Sequence, residues 1–212
     1  MNLTPEKARI FRITHRDNVS WILGHGLHCK NSNATDPRYV AIGNAELIDR
    51  RARRAVDREP GGTLSDYVPF YFTPYSPMLY NIKTGHGGIR QRDNEEIVIL
   101  VSSLRKLSAM AVPFLFTDRH AYLAAAQFYS DLERLDQVDW RILQTRDFSR
   151  DPDDLGKFER YQAEALVYRH MPIDALAGMV CYNHSTASEL KELVAKQRLE
   201  IPVIVRPGLY FS

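Results

Sequence analysis

The sequence contains little cysteine and no long hydrophobic run. Its two cysteines, Cys29 and Cys181, lie far apart in the 212 residues, which is typical of reduced thiols rather than a disulfide framework, and no residues have zinc-ligand spacing. No apolar run approaches the roughly 20 residues of a membrane span, and the segment from Met1 to Arg16 is too polar for a signal peptide. We therefore expect a cytoplasmic protein with no metal ion and no membrane partner.

A large excess of charge of either sign is also absent. The formal net charge is +2, with 25% charged and 44% hydrophobic residues, and this balance is typical of globular proteins. No linker-like stretch interrupts the chain, so residues 1–212 are predicted to form one domain. The charge is nevertheless uneven, because five arginines occur in the ten residues from Asp49 to Arg58. This segment, which includes Arg53 and Arg54, is either a phosphate-binding patch or the solvated end of a helix.

The segment Lys157–Tyr168 carries the most informative motif. It begins with charged residues and ends in the apolar run 165–168, which predicts a buried strand with Glu164 at the mouth of a sheet. On an extended chain, Gln162 and Glu164 would point to the same side and could contact one substrate together. The alternative is a hydrogen-bonded carboxylate at a strand edge that takes no part in chemistry.

Strands and helices are predicted to mix without regular βαβ alternation, so the fold class is α+β. Apolar patterns predict strands at 9–14, 70–72, 96–101, 114–117, 165–168, 178–182, 202–205 and 209–211. Six helices are predicted. The first ends at Gly24, the second covers 45–53, the third starts near 78, the fourth ends at 110, the fifth runs from His120 to Leu135, and the sixth starts at a Thr186/Glu189 capping box. Residues 25–38 and 139–154 are predicted to be loops.

The segment from Tyr67 to Tyr80 is unusually rich in aromatic residues and proline. Phe70 and Phe72 are assigned to the core, which leaves Tyr71 on the other side of the strand. Aromatic rings on a rigid turn are typical of a stacking surface for single-stranded nucleic acid. Tyr75 is a candidate for such stacking, and the glycine-rich loop that follows supplies two candidate phosphate contacts, Arg90 and Arg92.

Taken in order, these motifs resemble the DarT toxins, a family of bacterial DNA ADP-ribosyltransferases of toxin–antitoxin pairs. The resemblance covers nearly the whole chain. It is carried by Thr14-His15 with Asn18, the Asp49-Arg50-Arg51 helix end, the turn from Tyr71 to Met78, Asp118-Arg119-His120, and Arg160-Tyr161-Gln162-Ala163-Glu164. It implies an ADP-ribosyltransferase-like split β-sheet with flanking helices, NAD as substrate, ADP-ribose transfer to thymidine in single-stranded DNA, and a macrodomain antitoxin as partner.

The resemblance also implies roles for individual residues. Glu164 would be the catalytic acid, and Arg51 and His120 would complete the catalytic group. Arg51 could handle the thymine proton, but a guanidinium stays protonated in proteins, so His120 is an alternative proton acceptor. The residues implied at the NAD site are Thr14, His15, Asn18, Arg51, Tyr71, Met78 and Gln162. Two rival functions stay open on the residues alone, namely transfer to RNA or protein, and single-strand binding without chemistry.

Overall fold

The computed structural model describes residues 2–212, which form an eight-stranded sheet, a separate two-stranded sheet and flanking helices. The strands are β1 Arg9–His15, β2 Leu27–His28, β3 Tyr67–Tyr71, β4 Ile97–Ser103, β5 Phe114–Thr117, β6 Phe128–Tyr129, β7 Glu164–Tyr168, β8 His170–Met171, β9 Gly178–Cys181 and β10 Val203–Val205. The α-helices are α1 Val19–His25, α2 Ala45–Arg51, α3 Pro77–Thr84, α4 Leu104–Ala109, α5 Trp140–Thr145, α6 Lys157–Tyr161 and α7 His184–Lys196. The predicted α+β class is confirmed.

The large sheet has the strand order β10-β9-β4-β1-β3-β7-β5-β6, and only its β10–β9 pair is parallel. Its two halves meet between β1 and β3, where a single residue pair, Phe11 with Tyr71, joins the strands. Arg12 Nη1 reaches across this junction and donates to Pro69 O at 2.8 Å. The sheet is therefore split at its centre, as the resemblance implies.

Strands β4 and β7 each contain a run of four buried residues, which follows from their positions inside the sheet. In β4 the residues from Ile97 to Leu100 are all buried, because helices or neighbouring segments cover both faces of this central strand. In β7 the first four residues are buried in the same way. The core consequently lies along the middle of the sheet, next to the position of Glu164.

One predicted helix is wrong. The three-four spacing of apolar residues from His120 to Leu135 does not form a helix. The chain instead turns after Thr117, pairs Phe128 and Tyr129 with β5, and then forms a 3-10 helix at Leu132–Gln137. The loop is closed by Asp118, whose Oδ1 accepts from Gln127 N at 3.0 Å. This contact and the pairing with β5 outweigh the helical spacing.

Smaller differences concern the ends of elements. Helix α5 lies within the predicted loop 139–154, where Asp139 Oδ1 accepts from Ile142 N and caps it. The strand predicted at 209–211 is wrong, because Pro207–Leu209 form a 3-10 helix and residues 210–211 are in no strand. The helix predicted to end at Gly24 continues to His25, with Gly26 at φ 76° after it. Helix α7 is capped by Asn183 rather than by a Thr186/Glu189 box, because the Asn183 side chain accepts from Thr186 N at 2.9 Å.

Candidate active site

Glu164 is the first residue of β7 and lies opposite Tyr71 of β3. Its backbone is fixed by Thr117, whose hydroxyl oxygen lies 3.1 Å from Glu164 N and accepts from it. The predicted place at the start of a buried strand is confirmed. The carboxylate is more enclosed than its position at a strand end suggests, since Glu164 is only 2% exposed.

The buried carboxylate is paired with two donors from distant parts of the chain. Arg51 Nη1, at the end of α2, lies 2.9 Å from Glu164 Oε2 and 3.2 Å from Oε1. The backbone N–H of Ala121 donates to Oε1 at 3.0 Å. Charge-assisted hydrogen bonds of this kind stabilise a carboxylate that burial would otherwise disfavour. Glu164 is therefore held as an oriented anion.

His120 lies next to this pair. Its backbone N–H donates to Glu159 O at 2.9 Å, and its Nδ1 lies 3.2 Å from Tyr122 N and 3.4 Å from Glu164 Oε1. Nδ1 accepts from the Tyr122 N–H, so a neutral ring carries its proton on Nε2. Burial, with the nearby Arg51 charge, lowers the pKa of His120 although Glu164 opposes the shift. The imidazole is consequently neutral near pH 7 and able to accept a proton.

Arg51 has one donor that the protein leaves unused. Its Nη2 is buried and has no hydrogen-bond partner within residues 2–212. A buried guanidinium nitrogen without an acceptor is costly, and such groups are common where a ligand supplies the partner. We call Glu164, Arg51, His120 and the Ala121 N–H the Glu164 cluster, and Arg51 Nη2 is its open donor.

Tyr71 and Met78 border the same region. Burial, together with the Glu164 charge, raises the pKa of Tyr71 well above its usual value, so its phenol stays protonated. Met78, the second residue of α3, is half-buried, and a Cβ placed at Gly43 would lie 3.6 Å from Met78 Cε. Met78 thus lies against the segment that leads into α2 and Arg51.

A second buried polar group surrounds the end of β1. Asn18 Nδ2 donates to Thr14 Oγ1 at 3.1 Å and to Val40 O at 2.9 Å, while Asn18 Oδ1 accepts from Val40 N at 2.8 Å. His15 Nδ1 accepts from Asp17 N at 3.2 Å, and His15 Nε2 lies 3.3 Å from Glu96 Oε1.

We call Thr14, His15, Asn18 and Glu96 the Asn18 cluster. Its side chains are satisfied by the protein itself, and none of its hydrogen bonds reaches the Glu164 cluster.

Gln162 does not share a face with Glu164. It lies at the end of α6 with φ −98° and ψ 22°, which is not an extended conformation, and its Nε2 donates to Phe158 O at 3.1 Å. The sequence-based expectation of two side chains addressing one substrate from an extended chain is wrong. The reason is that α6 continues to Tyr161 and the strand begins only at Glu164.

The predicted nucleic-acid contacts divide into exposed and buried residues. Arg53 and Arg90 are exposed. Arg54 is half-buried and donates through Nη2 to Leu123 O at 3.3 Å, while its buried Nε has no partner in the described residues. Arg92 is 9% exposed and pairs with Glu96 at 3.0 Å.

Tyr75 is 5% exposed, and its hydroxyl donates to Gly208 O. Arg92 and Tyr75 are therefore used within the fold, and their assignment as DNA contacts is corrected, whereas the assignment of Arg54 stays a prediction.

Sequence reasoning missed several groups that form the site. Thr117, the Ala121 N–H and the Tyr122 N–H all hold catalytic candidates, and Glu96 holds His15. Backbone donors leave no signature in side-chain identity. The signal that could have identified them is the position of His120 just after β5, because strand ends in a split sheet converge on the same edge.

No metal site and no membrane span are evident in the described part of the chain. Within residues 2–212, no three His, Cys, Asp or Glu side chains are arranged to hold an ion. No helix among these residues is both long and apolar enough to cross a bilayer.

Comparison with known proteins identifies the family. Residues 11–211 match the family model described as DarT, ssDNA thymidine ADP-ribosyltransferase. A DNA ADP-ribosyl transferase of Escherichia coli O127:H6 is 56% identical over 211 residues, which cover 100% of this chain and 97% of that protein. The chain therefore belongs to the DarT family.

Solved structures agree with this assignment. The Thermus sp. 2.9 DarT in complex with ADP-ribosylated ssDNA superposes with a TM-score of 0.89 at 36% identity, covering 100% of both chains. The same protein in complex with NAD+ gives a TM-score of 0.84 at 34% identity, covering 98% of this chain and 99% of that one. A more distant relative of Thermosipho africanus, 24% identical, is a DNA ADP-ribosyl transferase–DNA ADP-ribosyl glycohydrolase fusion protein, of which this chain covers 50%.

Proposed function

We propose that the chain transfers ADP-ribose from NAD to N3 of thymine in single-stranded DNA, with the Glu164 cluster as its catalytic centre. As a member of the DarT family it is an NAD-dependent DNA ADP-ribosyltransferase. The observation that carries the residue assignment is the buried Glu164 carboxylate held by Arg51 Nη1 while Arg51 Nη2 stays without an acceptor. A site that holds an oriented anion and an open cationic donor suits a positively charged transition state beside a polar base.

The reaction breaks the bond between nicotinamide N1 and the ribose C1″ of NAD and forms a bond between thymine N3 and C1″. The departing nicotinamide is neutral, and the N3 proton is released. As C1″ loses its bond, positive charge develops on the sugar, as in glycoside hydrolysis. Glu164 would accept a hydrogen bond from the ribose 2″-hydroxyl and counter that charge.

We assign the proton transfer to His120 rather than to Arg51. In the neutral imidazole the Nδ1 lone pair accepts from the Tyr122 N–H, so a proton taken at Nδ1 would displace that contact and be stabilised by Glu164 Oε1 at 3.4 Å. The guanidinium of Arg51 stays charged. Its open Nη2 would donate to a carbonyl of thymine and favour the deprotonated base.

The remaining candidate contacts complete the substrate sites. Tyr71 and Met78 would form walls for nicotinamide and thymine. Thr14, His15 and Asn18 would border NAD. Both ring nitrogens of His15 already have partners within the protein. Asn18 would act mainly by fixing the backbone at Val40. Gln162 would support α6 rather than touch NAD.

The cellular setting follows from the substrates. NAD and single-stranded DNA are both intracellular, so we propose a cytoplasmic location. We also propose that residues 1–212 act as one domain, which is supported by the pairing of Phe11 with Tyr71 that joins the two halves of the sheet. The Thermosipho relative suggests a partner with DNA ADP-ribosyl glycohydrolase activity, the antitoxin expected from the family. Such a partner would remove the modification, and its coexpression should relieve toxicity.

The direct test uses labelled NAD with matched single-stranded oligonucleotides that carry thymine, N3-methylthymine or cytosine at one position. Mass spectrometry should find ADP-ribose on the thymine oligonucleotide alone, with release of one nicotinamide per modified base. Equal modification of all three would contradict thymine N3 as the acceptor. Labelling of RNA or protein in place of DNA would contradict the proposed substrate.

A further inference from the structure

Tyr80 is an aromatic residue that the fold leaves open. It lies in α3 and is 40% exposed. Its ring packs at 5.5 Å and 84° against Phe211, and at 5.7 Å and 67° against Phe148. Phe148 and Phe211 also meet each other at 6.1 Å and 89°. We call these three rings the aromatic triad.

The triad is held in place from beneath. Phe148 packs on buried Tyr161 at 5.5 Å, and Phe211 packs on buried Tyr75 at 6.1 Å. Edge-to-face contacts fix the orientation of aromatic rings. The Tyr80 ring is therefore fixed by packed aromatic rings while 40% of the residue stays exposed, so a stacking partner would meet a surface that needs little ordering.

Cations border the triad. The Arg146 guanidinium lies 4.3 Å from the centre of the Tyr75 ring, and Arg146 is exposed. Lys83 follows Tyr80 by three residues, so the two lie on the same face of α3. Neither Lys83 nor Arg146 pairs with a carboxylate in the described chain, and the nearby Asp147 is already paired with Lys157. An open aromatic ring with unpaired cations beside it is typical of single-strand binding surfaces.

The triad is connected along the chain to segments that carry the candidate active site. Tyr161, which supports Phe148, precedes Glu164 by three residues. Met78 precedes Tyr80 in α3 and lies against the segment leading to Arg51.

From these observations we propose that Tyr80 stacks on an unpaired base that flanks the target thymine, with Lys83 and Arg146 contacting the adjacent phosphates. The proposal rests on the proposed function, since it adds a second DNA contact to the same reaction. It places the stacking contact that the sequence suggested for Tyr75 at Tyr80, five residues further along the chain.

The test compares variants that separate packing from stacking. Tyr80→Leu keeps an apolar side chain against Phe148 and Phe211 but removes the flat ring, whereas Tyr80→Phe keeps the ring. Met110→Ala, at a residue 37% exposed beyond the end of α4, is the control for losing an exposed apolar side chain. Circular dichroism and the melting temperature establish that each variant is folded.

The readout is the Kd, by fluorescence anisotropy, of a single-stranded oligonucleotide with one thymine and normal flanking bases. A second oligonucleotide carries abasic sites at every flanking position. Tyr80→Leu should weaken binding of the first about tenfold, as expected for one lost base–aromatic contact, and should not change binding of the second. Tyr80→Phe and Met110→Ala should bind both like wild type, and the KM for NAD should be unchanged in all variants.

Two results would overturn the proposal. Equal Kd values of wild type and Tyr80→Leu for the normal oligonucleotide would leave the triad as a surface for a protein partner or as packing alone. An equal loss on both oligonucleotides would mean that no base is stacked. Failure of the proposed function would instead appear as unlabelled DNA with wild-type protein, and the anisotropy measurements would still decide the role of Tyr80.

Discussion

The Glu164 cluster and the Asn18 cluster are both buried and polar, yet they differ in what they leave unsatisfied. In the Asn18 cluster every hydrogen bond of Asn18 ends within the protein, on Thr14 and on the backbone of Val40. In the Glu164 cluster the Glu164 side chain is as buried as that of Asn18. Its partner Arg51, however, has no acceptor for Nη2 in the described residues. Satisfied buried groups hold a fold together, whereas an unsatisfied donor beside a buried carboxylate is available to a substrate.

This difference predicts that changes in the Glu164 cluster affect chemistry most. Glu164→Gln keeps an oxygen that can accept from the Ala121 N–H but removes the negative charge. The rate of ADP-ribose transfer should fall by about 10² to 10³ or more, since a transition-state electrostatic contact is lost. The measurement is single-turnover labelling of an oligonucleotide with saturating NAD. Wild-type turnover in this variant would remove Glu164 from the mechanism.

Glu164→Ala is the matched comparison for stability. Both variants leave Arg51 without its anion, but only Glu164→Ala also removes the oxygen that accepts from the Ala121 N–H and from Arg51 Nη1, and each buried donor left unpaired costs about 1–3 kcal/mol. Chemical denaturation should therefore find Glu164→Ala clearly less stable than Glu164→Gln, although both are inactive. Equal stability of the two variants would indicate that water replaces the carboxylate at little cost.

His120 gives the next largest expected effect. Replacement by Gln should slow transfer by about 10² or more, the usual contribution of a general base. In wild type the base must be neutral, and burial lowers the pKa of His120. The rate should thus be level around neutral pH and fall only in acid, below the ordinary histidine range. A pH–rate profile that falls between pH 8 and 7 would contradict a lowered pKa, and an unchanged profile in His120→Gln would assign the proton to another group.

The Asn18 cluster should respond in the opposite way. Asn18→Ala removes three hydrogen bonds and leaves the Val40 backbone groups unpaired, which should lower the free energy of unfolding by about 1–3 kcal/mol. Because Asn18 acts through the Val40 segment, kcat with saturating NAD should stay within a few-fold of wild type while the KM for NAD rises. A loss of kcat as large as that of Glu164→Gln would remove the distinction between the two clusters.

The sequence predicts the contiguous parts of this fold better than the parts that depend on distant contacts. The strands predicted at 9–14 and 114–117 are confirmed as Arg9–His15 and Phe114–Thr117, because their apolar patterns are local. The helix after His120 is wrong because contacts of Asp118 and β5 override spacing.

The same limit applies to the site. Glu164 stands out because its motif lies at a strand boundary, but its bond to Arg51 joins residues 113 positions apart. The contact of Arg54 Nη2 with Leu123 O likewise joins residues 69 positions apart, which composition does not reveal.

The smallest expected effect concerns the arginine-rich segment, in which Arg53 and Arg54 should differ in their effect on the salt dependence of DNA binding. Arg53 is exposed, whereas Arg54 donates to Leu123 O and so holds the loop that follows His120. If Arg53 contacts a phosphate, Arg53→Gln should reduce the slope of log K against log salt concentration by about 0.7, the contribution of one single-strand phosphate contact. Arg54→Gln should leave the slope nearly unchanged and lower kcat, because it loosens the loop that positions the Ala121 N–H.

Anisotropy titrations between about 50 and 200 mM salt measure both slopes, because phosphate contacts change DNA affinity strongly over this range. Arg90→Gln is the matched variant at a second exposed arginine. Identical slopes for Arg53→Gln and wild type would identify the arginine-rich segment as a solvated helix end, the alternative that the sequence alone leaves open.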